Sequence, residues 1–145
     1  MSSKKLPPKQ RFIPKNKNKY KGNLKNLISK SSWEHQFMCF LDRHPSILEW
    51  KYESIWITYY NPIENKNRKY VPDFWFKFID KQGNIKECIV EIKPYKKTKL
   101  RNKATRIEKA EFIINESKFK AADKYCKEKG IEYKIITEKE INFLK

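Results

Sequence analysis

The sequence predicts a mixed α/β domain with a three-stranded meander at its centre and helices around it. Three patterns carry that expectation. A helix N-terminal signal, Ser31-Ser32-Trp33-Glu34, precedes apolar residues at helical spacing. Three runs rich in β-branched and aromatic residues follow, separated by turn-forming residues. A long mixed-charge stretch then ends at Gly130 and gives way to a short apolar run. The chain has 145 residues, enough for one core and not for two.

Residues 1–19 read as a flexible basic arm and residues 20–145 as a single domain. Glu34 is the first acid, and the 33 residues before it hold ten Lys or Arg, a composition that favours solvation over packing. Ser31 is placed to cap a helix, with Glu34 at the capping-box position. Trp33, Phe37, Phe40 and Leu41 share one face of that helix, and Pro45 stops it. Residues 55–60 read as a strand and 61–69 as a loop. Residues 70–79 and 85–92 are the next two strands, the last ended by Pro94. Residues 105–129 read as two helices that break near Asn115, with Gly130 as C-cap. Residues 131–136 form a last strand. Thr137 and Glu140 open a terminal helix with a second capping box.

Charge narrows the function classes. Lys and Arg outnumber Asp and Glu by 34 to 17, a net charge of +17. The surplus points to a polyanionic partner, nucleic acid before an anionic membrane surface. No apolar stretch of about 18 residues is present to cross a membrane, and the N-terminus lacks the apolar run of a secretory signal. Cys39, Cys88 and Cys126 lie far apart among apolar neighbours and read as free thiols. His35 and His44 are too few for a histidine-based zinc hydrolase. Trp50, Trp56 and Trp75 alternate within strands and read as core. A second basic block runs through Lys96, Lys97, Lys99, Arg101, Lys103 and Arg106; it is placed to follow a DNA backbone. Lys118 and Lys120 read as a solvated helix face, with phosphate contact as the alternative.

The candidate chemistry lies in the second and third strands. Asp80-Lys81-Gln82-Gly83-Asn84 offers a three-residue hairpin loop with Gly where φ must be positive. Pairing Asp80 with Asn84 sets Phe74 opposite Val90 and Asp73 opposite Glu91. Alternation then puts Asp73, Glu91 and Lys93 on one face. Two carboxylates at directly paired positions, with Cβ atoms about 5 Å apart, repel each other. A hard divalent cation offsets that repulsion, with Lys93 alongside. An acid-x-Lys triplet alone carries little weight, since Glu49, Glu64, Glu116 and Glu132 also begin one. Only Glu91 follows an Asp-bearing strand across a tight turn. A cross-strand salt bridge is the plainer reading of this trio, and helix capping the plainer reading of Glu34.

Pro72-Asp73 with Glu91-Ile92-Lys93 resembles the PD-(D/E)xK nuclease superfamily. The resemblance implies that Asp73 and Glu91 bind Mg²⁺ (with Mn²⁺ as a substitute), joined by the Ile92 backbone carbonyl. It implies that Lys93 assists the attacking water or the developing phosphorane charge, and that Glu34 is a further catalytic and metal-binding acid. Further motifs are similar to the head-completion nucleases of T-even-type tailed phages. They are Arg11-Phe12-x-Pro14-Lys15-Asn16, Ser31-Ser32-Trp33-Glu34, Tyr70-Val71-Pro72-Asp73-Phe74, Val90-Glu91-Ile92-Lys93-Pro94 and Gly130-Ile131-Glu132-Tyr133. The later segments also resemble the endonuclease subunit of heteromeric transposases. These resemblances imply a restriction-endonuclease-like fold, a mixed β-sheet core (α-β-β-β-α-β) flanked by helices. They imply Mg²⁺-dependent cleavage of double-stranded DNA and a role in finishing the phage head before tail joining. Head, portal or neck proteins would be partners, a homodimer would suit a double-strand cut, and the host cytoplasm or the virion would be the location. The alternative is a non-catalytic basic DNA-binding or structural protein at the head–tail junction.

Overall fold

Residues 10–142 are described by a computed structural model. In chain order the elements are β1 (Gln10–Arg11), β2 (Ile28–Ser29), α1 (Ser32–Arg43), β3 (Ile47–Tyr52), β4 (Ile57–Asn61), β5 (Lys66–Tyr70), β6 (Phe74–Ile79), β7 (Ile85–Ile92), α2 (Arg106–Lys129), β8 (Glu132–Ile136) and α3 (Glu138–Ile141). The central sheet has the order β3-β6-β7-β8. β3, β6 and β7 run antiparallel, and β8 is parallel to β7, as the long α2 crossover requires. β4 and β5 pair with each other as a separate ribbon.

The β6–β7 hairpin follows the expected register. Phe74 faces Val90, Phe76 faces Cys88 and Ile79 faces Ile85. Its loop closes through the Asp80 carboxylate, which accepts the N–H groups of Gln82 and Asn84 at 2.9 Å each, and Gly83 takes φ +85°. Even-numbered β6–β7 residues turn toward α1. Phe74, Cys88 and Val90 pack there with Phe37, Met38, Leu41, Trp50 and Ile141. On the opposite face, Ala122 of α2 packs with Ile57, Tyr59 and Tyr70 of the β4–β5 ribbon. The sheet is therefore sandwiched between α1 with α3 and α2 with the ribbon.

Several expectations are corrected. β3 is a strand where none is expected, and the first four residues of β5, 66–69, fall in the expected loop over 61–69. The expected strand over 70–79 is split: Tyr70 closes β5, residues 71–73 are irregular, and β6 begins at Phe74. Pro72 causes the break, because it has no N–H for the ladder. α2 is one unbroken helix, opened by a Thr105–Glu108 capping box and ended by Gly130 at φ +71°. Glu34 forms no capping box. Ser31 Oγ accepts the Glu34 N–H at 3.1 Å, but Glu34 Oε1 reaches past Ser31 to the Lys30 N–H at 2.8 Å. Trp56 is 67% exposed, whereas Trp50 is fully buried.

The arm expected over 1–19 is a packed segment from Gln10 onward; its first nine residues lie outside the described residues. Phe12 is buried and its N–H donates to the Leu27 carbonyl at 3.0 Å. Lys15 and Asn16 donate backbone N–H groups to the buried Asp42 carboxylate at 2.9 Å each. Lys19 Nζ donates to the carbonyls of Asp42 and His44 at 2.9 Å each, at the C-terminal end of α1. A helix C-terminus carries orphan acceptors and partial negative charge, and this basic segment supplies both donors and cations.

Candidate active site

The break at Pro72 builds the site. The β6–β7 pairing ends with Phe74 opposite Val90; continued one step it sets Asp73 opposite Glu91, and continued two steps Pro72 opposite Ile92. Proline has no N–H to give the Ile92 carbonyl, so the usual exchanged pair of backbone bonds cannot form there, and the Ile92 N–H is taken by Asp73 Oδ2 at 2.8 Å. A strand residue's N–H and C=O point to the same edge, so the Ile92 carbonyl also faces this gap. Across the other edge, the Asp73 carbonyl accepts the Glu53 N–H at 2.8 Å. Asp73 is thus fixed from both sides at the end of the sheet.

Glu91 is held by aromatic hydroxyls. Tyr70 donates its O–H to Glu91 Oε1 at 2.9 Å, and the Tyr133 hydroxyl lies 3.1 Å from that of Tyr70. Burial first, and then the charge of Glu91, push the Asp73 carboxyl well above the usual range. Burial also raises Glu91, opposed by the Tyr70 hydrogen bond and by the positive charges of Lys93 and Lys118. Burial lowers the Lys93 ammonium, opposed by Glu91. Lys93 Nζ stands 5.6 Å from the Phe119 ring centroid, on α2. Asp73, Glu91 and Lys93 therefore lie within electrostatic reach of one another.

Glu34 approaches from the other layer. It is buried, and its Oε1 accepts both the Lys30 N–H and the Tyr52 hydroxyl, each at 2.8 Å. It is within electrostatic reach of Asp73. Among the described residues, no three His, Cys, Asp or Glu side chains converge closely enough to hold a metal ion. The convergent part is the Asp73–Glu91 pair. Its donor set fits a hard divalent cation: two carboxylates with lone pairs left open and an adjacent carbonyl, all oxygen. At the rim Lys30 Nζ binds both Glu53 carboxylate oxygens, at 3.0 and 3.2 Å, and Glu53 adopts φ +48°, a left-handed backbone conformation unusual outside glycine.

The expected DNA-binding residues lie between the end of β7 and the first turn of α2. Lys96, Lys97, Lys99 and Arg101 line a groove of about 360 Å³ against Phe112 and Asn115 of α2. Lys97 pairs with Glu111 at 3.5 Å and Arg101 with Glu108 at 2.6 Å. Lys103 and Arg106 are exposed. Sequence reasoning missed Tyr52, Tyr70, Tyr133 and Glu53. Tyr70 directly precedes Val71-Pro72-Asp73 and Tyr133 closes Gly130-Ile131-Glu132-Tyr133, the two local signals that pointed to any of them. It also grouped Lys118 with Lys120, which the structure separates: Lys118 is half-buried and turned toward Glu91, and Lys120 is exposed.

Comparison with known proteins gives two matches. The family model described as TnsA-like endonuclease N terminal matches residues 44–138, a span that contains Asp73, Glu91 and Lys93 and leaves out Glu34. The head completion nuclease of Enterobacteria phage T4 is 36% identical over 138 residues, covering 88% of this chain and 89% of its own length. No solved structure matches the chain significantly.

Proposed function

Because the chain belongs to the TnsA-like endonuclease family, and is by that kinship a nuclease, we propose that it is a divalent-metal-dependent deoxyribonuclease acting on double-stranded DNA. The observation that carries this reading is the placement of Asp73 beside Glu91 on one face with Lys93. Asp73, Glu91 and the Ile92 carbonyl would hold the cation. When bound, Mg²⁺ or Mn²⁺ supplies Lewis-acid polarisation of a phosphate oxygen and makes water a nucleophile near neutral pH. The chain's own residues do the rest. The Ile92 N–H and the Tyr70 hydroxyl orient the two carboxylates. Lys93 holds positive charge where negative charge develops in phosphoryl transfer. Glu34, tethered by Tyr52, takes a proton-handling or second ligand role at the far side. The basic groove beside α2 binds the DNA backbone, so affinity falls steeply with salt.

The T4 relative's printed name places that protein in head completion. By analogy this chain finishes a packaged phage head, in the host cytoplasm, before the tail joins. Purified protein tests the enzymatic reading on supercoiled plasmid. Mg²⁺ should produce cuts and EDTA should suppress them. Asp73→Ala, Glu91→Ala and Lys93→Ala should each lower cutting by at least about 100-fold while DNA binding persists. Binding without metal-dependent cutting would leave a structural DNA-binding protein, and normal cutting by these variants would refute the site.

A further inference from the structure

The site contains a second ammonium that the reading above does not use. Lys118 lies midway along α2, on the face that packs against the ribbon. Its Nζ stands 5.8 Å from the ring centroids of both Tyr59 and Tyr70. Tyr70 gives its hydroxyl to Glu91, so one ring carries Lys118 over its face and Glu91 at its tip. The positive charge of Lys118 reaches Glu91 and also Lys93, whose ammonium it disfavours. Phe119, the next residue of the helix, lies under Lys93.

Lys97, the other cation near Lys93, is held by Glu111. Among the described residues, neither Lys93 nor Lys118 has such an ion pair. Covering two tyrosine rings does not require a charge, because a leucine or methionine would do so without repelling Lys93. The ring contacts themselves are long and weak for a cation. Two half-buried ammoniums facing one pair of carboxylates suit an anion that enters between them and the acids.

We propose that Lys118 is a second phosphate-binding residue of the active site, donating to a non-bridging oxygen of the DNA backbone at the cleavage position. Lys93 approaches that phosphate from the end of β7 and Lys118 from α2, so the two ammoniums flank it. The site then grips its substrate from both sheet and helix, which fixes the phosphodiester relative to Asp73 and Glu91. This inference rests on the nuclease reading for its substrate, and its test separates the two.

The informative variants are Lys118→Met, which keeps the apolar stem over Tyr59 and Tyr70, and Lys118→Arg, which keeps the charge. The first arm measures binding of a 20-base-pair duplex (a length of about two helical turns) in EDTA, in a Glu91→Gln background. Adding Lys118→Met there should lower the slope of log affinity against log salt by about one. The second arm measures Mg²⁺-dependent cutting without the background change. Lys118→Met should slow it by at least about tenfold, Lys118→Arg should recover most of the loss, and the melting temperatures of all three proteins should agree. Unchanged cutting and slope in Lys118→Met would overturn the inference and leave the nuclease reading intact. A loss that arginine does not recover, with an unchanged slope, would assign Lys118 a packing role and also overturn it. If the unsubstituted protein does not cut at all, the nuclease reading fails, and the binding arm still decides whether Lys118 contacts phosphate.

Discussion

Metal-free protein should be made more stable by removing one of its active-site charges. Asp73 and Glu91 are the next residues beyond the last β6–β7 pair, Phe74 with Val90, and directly facing positions hold Cβ atoms about 5 Å apart. Two unit charges at that separation repel by about 3 kcal/mol at an effective dielectric constant of about 20. The Ile92 N–H and Tyr70 O–H hydrogen bonds offset part of it. Glu91→Gln keeps an acceptor for Tyr70 and gives Asp73 an amide donor in place of a like charge. The expected gain is about 1–2 kcal/mol, which corresponds to a rise in melting temperature of roughly 3–6 °C for a chain of this size. Thermal unfolding followed by circular dichroism in EDTA at pH 8 measures it. Both carboxyls have raised pKa values in the folded state. Their contribution to stability is therefore present below the unfolded-state values and is lost as pH rises through the folded-state values. The gap between variant and parent should narrow as pH falls from 8 toward 5. At pH 8, Mg²⁺ should raise the melting temperature of the parent and leave Glu91→Gln nearly unmoved. A variant that melts below the parent in EDTA, or a gap that ignores pH, would refute the crowded-carboxylate account.

Two further outcomes test the supports of the site. Asp42→Ala should cost about 2–4 kcal/mol in urea unfolding, because it strands the Lys15 and Asn16 N–H groups that its carboxylate accepts; a loss under 1 kcal/mol would mean water replaces it freely. Replacing Lys96 and Lys99 together with Ala should weaken duplex binding and flatten its salt dependence by about two in slope, with melting temperature unchanged. An unaltered slope would place the DNA elsewhere.

The parts of the fold legible in the sequence are those set by local chemistry. The β6–β7 hairpin could be read because Asp80, Asn84 and Gly83 form their own turn, and the turn fixes the register. That register alone placed Asp73 beside Glu91. β5 could not be read: Lys66, Asn67, Arg68 and Lys69 are all exposed, and only pairing with β4 makes them a strand. β3 was hidden because a register shift between Ile47 and Glu49 breaks the period of its buried residues. Asn115 suggested a helix break, yet α2 runs through it under contacts with the ribbon. Tyr70, Tyr133 and Lys118 reach Glu91 from three different elements. No spacing within any one of them records that meeting.

The same proline that defeated the strand assignment explains why the site sits where it does. A strand running unbroken through residues 70–79 would spend the Ile92 N–H and carbonyl on its own ladder, and Asp73 would be one more cross-strand side chain. Pro72 cannot donate, so the ladder ends two residues before the end of β7. The Ile92 carbonyl is left without its donor and faces the pair of acids, and with the exchanged pair broken the Ile92 N–H goes to the Asp73 carboxylate. The break also releases the preceding residues into the β4–β5 ribbon, which returns Tyr70 to Glu91 and presents its inner face to α2. A single missing donor thus ends the ladder, leaves the Ile92 carbonyl open beside the acids, and brings in the layer that carries Lys118.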